Sequence, residues 1–195
     1  STEEDLRKAV LYGELAGQRA AAVYAHGEAA RLLEQALQVQ DVLDPNDNDK
    51  RYALLEALAN TLLLAGEPKR VSDDIAPELY SVGERDGNNE RSAEAARLLL
   101  EALGRQDAGP VFATPEFQTW NERLHRHAAP SSRHRVYADV NTAWTHYAFR
   151  RLREYWECAE GALESAKSVG DADARVFAMF SFLTSGAPPE LEPKR

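Results

Sequence analysis

The chain of 195 residues contains one cysteine, Cys158, and one methionine. A single cysteine excludes an internal disulfide framework, and free thiols are typical of reducing compartments, so we expect a cytoplasmic protein. Long apolar runs are also missing, since no stretch approaches the roughly 20 residues that cross a bilayer. The opening STEEDLRKAV has no secretory pattern. These absences argue against a disulfide-rich scaffold and against a membrane-spanning segment in this sequence.

Positive charge is scarce as well, with 23 Lys and Arg against 32 Asp and Glu and a net charge of −9. An acidic chain is a poor general binder of nucleic acid or of anionic membranes. The composition is 44% hydrophobic and 28% charged, which is ordinary for a folded globular protein. The length suffices for one sizeable core or for a short array of repeats.

Strand-like alternation is absent, whereas Ala, Leu, Glu and Arg recur with the period of a helix. The pattern predicts an all-α fold of about nine helices joined by short turns, which makes consecutive helices antiparallel neighbours. Pro77 predicts a kink or a break in the fourth helix, because proline removes one ladder hydrogen bond. The expected helices are 4–24, 26–41, 49–65, 68–86, 89–104, 115–128, 132–149, 151–169 and 172–185.

The sequence predicts one domain over residues 1–186, followed by a polar, Pro-rich tail at 187–195 that should fray. We interpret the whole as a piece of a longer protein.

Small residues recur on one face of the second predicted helix, where Ala29, Leu33 and Ala36 lie together. A face made mainly of small side chains suits a helix that packs closely between two others. Val71 follows Ala29 by 42 residues, and Tyr155 follows it by 126, which is three times 42. The spacing predicts a repeated helical hairpin of about 42 residues.

The intervening repeat should fall near Ala113. There Ala113, Phe117 and Trp120 reproduce the spacing of Ala29, Leu33 and Ala36.

The stretches HGEAARLLEQAL and LREYWECAEGALESA resemble the second helix of a tetratricopeptide repeat. Gly13 stands where that family has a bulky aromatic residue in the first helix. The resemblance implies antiparallel helical hairpins stacked as a TPR-like right-handed α-solenoid.

Residues 8–180 also resemble the helical repeat region of large bacterial signalling ATPases, which accompany adenylate or guanylate cyclase or LuxR-family DNA-binding modules. The likeness lies in GQRAAAVYAHGEAARLLEQAL, LLEALANTLLLAGEPKR and ALESAKSVGDADARVFA. It implies a sensor or scaffold arm of a signalling or transcriptional regulator. The phosphate-loop pattern GxxxxGK[ST] is absent, so nucleotide chemistry would take place elsewhere in the parent chain.

Residues with chemical potential do not form a recognisable site. His125 and His127 point about 200° apart around a helix, and no cysteine pair supports them, His134 or His146 as metal ligands. Cys158 lies in mid-helix on the inward face, where a small packing residue is expected. We therefore predict no enzymatic activity, no cofactor and no metal.

Residues 123–153 contain seven Arg, no Lys and one acidic residue, Asp139, which gives a local charge of +6. Aromatic residues interleave with these arginines. This pattern is compatible with an outer face that pairs with acidic helices of the same chain, with a docking surface for an acidic protein segment, or with a nucleic-acid surface, which the acidic chain disfavours. The candidate partner-binding residues are Arg123, Arg126, Arg133, Tyr147, Arg150, Arg151 and Arg153.

The sequence thus predicts a non-enzymatic module that binds a protein or peptide, or other modules of its parent chain, and no membrane. Three alternatives remain open. They are a small-molecule effector pocket between repeats, an intramolecular or homodimeric scaffold, and an RNA-binding helical repeat, which would need a continuous basic stripe.

Overall fold

The computed structural model of the chain describes residues 2–184, and within that range the protein is all-α with no strand. The predicted fold class is confirmed, and each predicted helix begins and ends within two residues of the observed one. The prediction for 187–195 lies outside the described residues. The nine helices of the described range are α1 (Glu3–Ala22), α2 (His26–Leu43), α3 (Asn48–Ala65), α4 (68–85), α5 (Asn89–Gln106), α6 (Pro115–His127), α7 (Arg133–Ala148), α8 (Leu152–Val169) and α9 (Ala172–Thr184).

Local capping chemistry fixes where several helices begin. The Thr114 hydroxyl accepts a hydrogen bond from the backbone nitrogen of Phe117 at 3.2 Å, and Pro115 occupies the first turn of α6. Asp47 caps α3 in the same manner, by accepting from the nitrogen of Lys50 at 2.9 Å. Polar side chains of this kind satisfy the free N–H groups at a helix start, so the starts of α3 and α6 could be predicted from the sequence.

α4 continues through Pro77 instead of ending there. It comprises an α-helical turn at Pro68–Arg70, a π-helical stretch at Val71–Ile75 and an α-helix at Ala76–Arg85. The wider turn stands directly before the proline and changes the hydrogen-bonding register. The disturbance predicted at Pro77 is thus a π turn just upstream of it.

The helices follow one another as a repeated hairpin. Each helix packs against the next one along the chain, and α3 also contacts α5, α5 contacts α7, and α7 contacts α9. α1, α3, α5 and α7 are the first helices of the hairpins. The segments that follow them begin at His26, Pro68, Pro110 and Leu152, at intervals of 42 residues. At Pro110–Ala113 the third segment starts as a short 3₁₀ turn before α6. The stacking of these hairpins as a TPR-like, right-handed α-solenoid stays a prediction.

The face of small side chains on α2 meets glycines of α1. A β-carbon added to Gly17 would stand 3.0 Å from Cγ of Leu33, and one added to Gly13 would stand 3.1 Å from Cβ of Ala36. Ala29 and Ala36 are fully buried. α2 therefore packs closely on α1 while its other side contacts α3. Gly13 is the point of this close approach, so a bulky aromatic residue would not fit there.

Candidate functional site

A groove opens where the N-terminal halves of α3, α5 and α7 lie side by side. Its volume is about 330 Å³. Four carboxylates and two guanidinium groups line it, so its walls carry an excess of negative charge. The lining residues are Asp49, Tyr52, Ala53 and Glu56 from α3, Asn88, Glu90, Arg91 and Glu94 from the start of α5, and Arg133 and His134 from α7.

Glu94 forms the floor of this groove. Its Oε2 lies 2.8 Å from Nε2 of His134 and 3.2 Å from Nη2 of Arg133, while Nη2 of Arg97 donates to Oε1 at 2.7 Å. Burial acts to raise the pKa of Glu94. The hydrogen bonds from His134 and Arg97 and the charges of Arg97 and Arg133 outweigh burial and hold the pKa well below its usual range. Glu94 is therefore a permanent anion that ties α5 to α7.

Arg91 organises the wall between α3 and α5. Its Nη2 donates to Oδ1 of Asp49 at 2.6 Å, and its Nη1 donates to Oδ2 of Asp86 at 3.1 Å. The guanidinium also lies 4.8 Å from the ring centroid of Tyr52, whose hydroxyl donates to the Arg91 carbonyl oxygen at 3.0 Å. Burial raises the pKa of Tyr52 well above its usual value, so the hydroxyl keeps its proton. Arg91 and Asp49 are thus already paired within the chain.

Glu56 differs from the other carboxylates of the groove wall. Its carboxylate is half-buried and makes no hydrogen bond or ion pair with any of residues 2–184 that we identify. Burial, followed by repulsion from Glu94, raises its pKa. Glu90 lines the same groove from α5 and is exposed, likewise without an ion-pair partner among the described residues. The charges of Arg133, Arg97 and Arg91 oppose the rise in the pKa of Glu56 without outweighing it. Glu56 and Glu90 are thus the carboxylates of the groove wall that lack a direct ion pair with the described residues.

The groove continues past α7. A second cavity of about 370 Å³ shares Glu90, Arg133 and His134 with the first and reaches the joint between α8 and α9 at Gly170 and Asp171. The two cavities therefore adjoin each other at the starts of α5 and α7.

The structure distributes the seven predicted partner-binding residues over separate places. Arg133 lies in the groove. The Arg123 guanidinium stacks on α6 and α4, at 4.2 Å from the ring centroid of Trp120 and 5.3 Å from that of Tyr80. Arg126 is exposed in the last turn of α6. The other four residues lie around the far end of α7, about 24 Å from Arg133 for a helix of this length.

That far end of α7 carries what we name the joint patch, which consists of Tyr147, Phe149, Arg150, Arg151 and Leu152. The three apolar side chains are 42, 45 and 46% exposed. The Arg151 guanidinium lies 5.4 Å from the ring centroid of Phe149. Arg153 stands beside the patch and is paired with Glu157 at 3.3 Å.

The histidines that the sequence singled out serve separate contacts. Nε2 of His125 lies 3.0 Å from the Thr142 hydroxyl, and Nε2 of His127 lies 2.9 Å from the Tyr80 hydroxyl. Burial raises the pKa of Cys158, which packs beside Tyr155 and Trp156. Within residues 2–184, no three His, Cys, Asp or Glu side chains come close enough together to hold a metal ion.

Sequence reasoning missed the groove, although the repeat contained a signal for it. Asp49 and Arg91 are one repeat of 42 residues apart, so aligning α3 with α5 would have placed them together. Glu94 and His134 are 40 residues apart and show no such regularity. Glu56 could not be recognised, because nothing local distinguishes it from a solvated helix carboxylate.

Among the described residues, no helix combines the length and the apolar character needed to cross a bilayer. Comparisons of the chain with protein-family models, with curated proteins and with solved structures found no match.

Proposed function

We propose that this chain is a non-enzymatic interaction module that binds a protein or peptide segment in the groove of α3, α5 and α7. The observation that supports this most is the Glu56 carboxylate, which is half-buried, lines the groove and makes no hydrogen bond or ion pair with the described residues. The charges of Arg133, Arg97 and Arg91 act on it only at longer range, and its pKa is still raised. A buried charge is costly unless it is paired, so a partner that brings a cation would gain the interaction that the chain itself does not supply.

The partner segment should carry Lys or Arg. Arg91 and Arg133 already form ion pairs with Asp49 and Glu94, respectively. Glu56 and Glu90 form no ion pair with the described residues. An ammonium or guanidinium group between the two free carboxylates would form charge-assisted hydrogen bonds.

The lining supports a peptide over the alternative ligands. Small-molecule pockets are mostly apolar with a few polar groups, while charged side chains dominate this groove. RNA phosphates would meet an excess of carboxylates. An extended polypeptide could follow both cavities and place successive side chains in them.

We further propose that the module works in the cytoplasm as the sensor or scaffold arm of a bacterial signalling or transcriptional regulator. The resemblance of residues 8–180 to such repeat regions supports this context. The full open reading frame tests it. A phosphate-loop motif upstream with a cyclase or DNA-binding module downstream is the expected result, and a parent gene lacking both would contradict it.

Fluorescence polarisation with labelled synthetic peptides tests the groove. Peptides containing Lys and Arg should bind more tightly than matched peptides containing Glu, and the affinity should fall as salt rises. Glu56→Gln and Glu90→Gln should each weaken binding by about 1–2 kcal/mol. Glu122→Gln, at an exposed position of α6, is the matched control. Equal affinity of all three variants for the basic peptides would reject the groove as the site.

A melting curve separates loss of binding in Glu56→Gln from unfolding. The folded-state pKa of Glu56 is raised, so at neutral pH the folded chain holds this charge at a cost. A neutral glutamine removes that cost, and its thermal melting temperature should equal or exceed that of the wild type.

A second candidate function is self-association through α9. Val176 and Leu183 are 65 and 73% exposed and, with Met179, follow the spacing of a helix–helix seam. A second copy could supply the matching seam. Light scattering should show a dimer that Val176→Glu with Leu183→Glu converts to a monomer, and a wild-type monomer at high concentration would contradict it.

A further inference from the structure

Three joints between a first and a second helix of the repeat share one backbone conformation. Tyr24, Gly66 and Arg150 have positive φ angles of 61°, 78° and 61°, and they stand 42 and 84 residues apart. At each joint the next residue donates its backbone N–H to a carbonyl oxygen five positions earlier, at 2.9 Å. These bonds are Ala25 to Ala20, Glu67 to Leu62 and Arg151 to His146. This is the Schellman ending of a helix, which requires a left-handed residue.

Glycine takes that conformation without steric cost, and Gly66 does so in the second repeat. Arg150 takes it against the preference of a residue with a β-carbon. Its side chain is exposed and makes no hydrogen bond or ion pair with the described residues. No hydrogen bond or ion pair among the described residues therefore depends on the Arg150 side chain. Strained positions of this kind concentrate where a side chain is used for function.

The surroundings of Arg150 indicate what the side chain could contact. The joint patch combines three exposed apolar side chains with two guanidinium groups, and Arg151 likewise has no acidic partner among the described residues. Arginine and aromatic residues are the types most enriched at the centre of protein interfaces. Most acidic residues of the chain are elsewhere, so this patch is a positive, apolar spot on a protein of net charge −9.

We propose that the joint patch docks an acidic protein segment that carries a large apolar side chain. A carboxylate of the partner would pair with Arg150 and Arg151, and its apolar side chain would pack on Phe149 and Leu152. Single-stranded RNA is the competing chemistry, because guanidinium and aromatic groups also suit phosphates and bases. The aliphatic Leu152 and the acidic remainder of the chain favour the protein segment.

This surface does not depend on the groove. The two lie at opposite ends of α7, and they attract partners of opposite charge. The chain could thus hold two different segments at once, as a scaffold does. Failure of either proposal leaves the other standing.

The test begins with selection from a random peptide library displayed on phage against the folded protein. Selected peptides are then synthesised with fluorescein, and their affinity is measured beside that of a labelled oligouridylate. Acidic peptides that contain Leu or an aromatic residue should be enriched. The double variant Arg150→Glu with Arg151→Glu should lower the affinity for these peptides by about tenfold or more. The matched control is Arg175→Glu, at an exposed position of α9.

Arg150→Gly separates a binding role from a structural one. This variant should have a higher melting temperature than the wild type, because glycine relieves the left-handed strain. It should nevertheless bind the selected acidic peptides severalfold less tightly. The proposal is overturned if no acidic peptides are enriched. It is equally overturned if they bind Arg150→Gly and the double variant as tightly as the wild type, or if oligouridylate binds the patch and displaces them.

Discussion

Nε2 of His134 lies 2.8 Å from Oε2 of Glu94, and this contact joins α7 to α5 beneath the groove. Arg97 and Arg133 donate to the same carboxylate, so one anion serves donors from two helices. Replacing Glu94 by an amide would leave the largely buried Arg97 guanidinium with less compensating negative charge. We expect Glu94→Gln to lower the free energy of unfolding by about 3 kcal/mol, as breaking a buried pair usually does. Urea denaturation at neutral pH measures this, with Glu160→Gln at an exposed position of α8 as the control.

The same carboxylate should govern stability in acid. The pKa of Glu94 is lower in the folded chain than its ordinary value of 4.5. A group with a depressed folded-state pKa contributes stability above its unfolded-state pKa and loses that contribution as the pH falls towards the folded-state value. The wild type should therefore lose unfolding free energy more steeply than Glu94→Gln below about pH 5. Parallel curves for the two proteins would show that Glu94 is not a coupled ion in the folded state.

Helix positions were predictable because their signals are local. Thr114 with Pro115 marks a start, Gly66 marks an end, and both act within one turn of the residue concerned. The sequence predicted a disturbance at Pro77 but not that it would be a π turn. A kink, a break and a wider turn can each accommodate the same missing hydrogen bond, so the sequence does not distinguish them. The repeat period was visible because small residues mark close helix contacts, and the structure shows those contacts at Gly13 and Gly17.

The candidate sites were predictable only in part. The arginine count drew attention to Arg150 and Arg151, but composition could not reveal that α7 separates them from Arg133. The left-handed backbone of Arg150 also leaves no trace in composition, because the usual marker of that conformation is a glycine. Glu56 and Glu94 become distinctive only when three helices are brought together.

Gly83 has the closest approach of the glycine positions in the described residues, and we expect Gly83→Ala to destabilise the fold. An added β-carbon would stand 2.7 Å from the backbone nitrogen of Ser92 on α5, where no flexible side chain can yield. The expected loss is about 1–3 kcal/mol of unfolding free energy. Gly161→Ala in α8 is the matched control, since nothing lies within 4 Å of its β-carbon and alanine favours a helix by about 0.5–1 kcal/mol. Equal effects in thermal melts would show that α4 and α5 are less closely packed than described.

Exchanging side chains at the left-handed joints should change stability in opposite directions. Tyr24→Gly should raise the free energy of unfolding by about 0.5–1 kcal/mol, because it removes a strained left-handed residue whose ring is exposed. Gly66→Ala should lower it by about 1 kcal/mol through the same strain. No atom lies within 4 Å of the Gly66 β-carbon position, so a steric clash cannot explain that loss. Denaturant titrations of both variants measure the two changes, and a destabilised Tyr24→Gly would refute the shared joint conformation.

Ala29→Leu tests whether α2 is held closely between its neighbours. Ala29 is fully buried, and a β-carbon on Gly17 would already approach the Ala29 carbonyl oxygen to 3.4 Å. The larger side chain should overpack the contact with α1 and lower the free energy of unfolding by about 1–3 kcal/mol. Gln35→Leu adds the same side chain on the exposed face of α2 and should stay within about 0.5 kcal/mol of the wild type. If both variants unfold at the same denaturant concentration, the small residues of α2 do not mark a stacking surface, and the 42-residue repeat loses its physical basis.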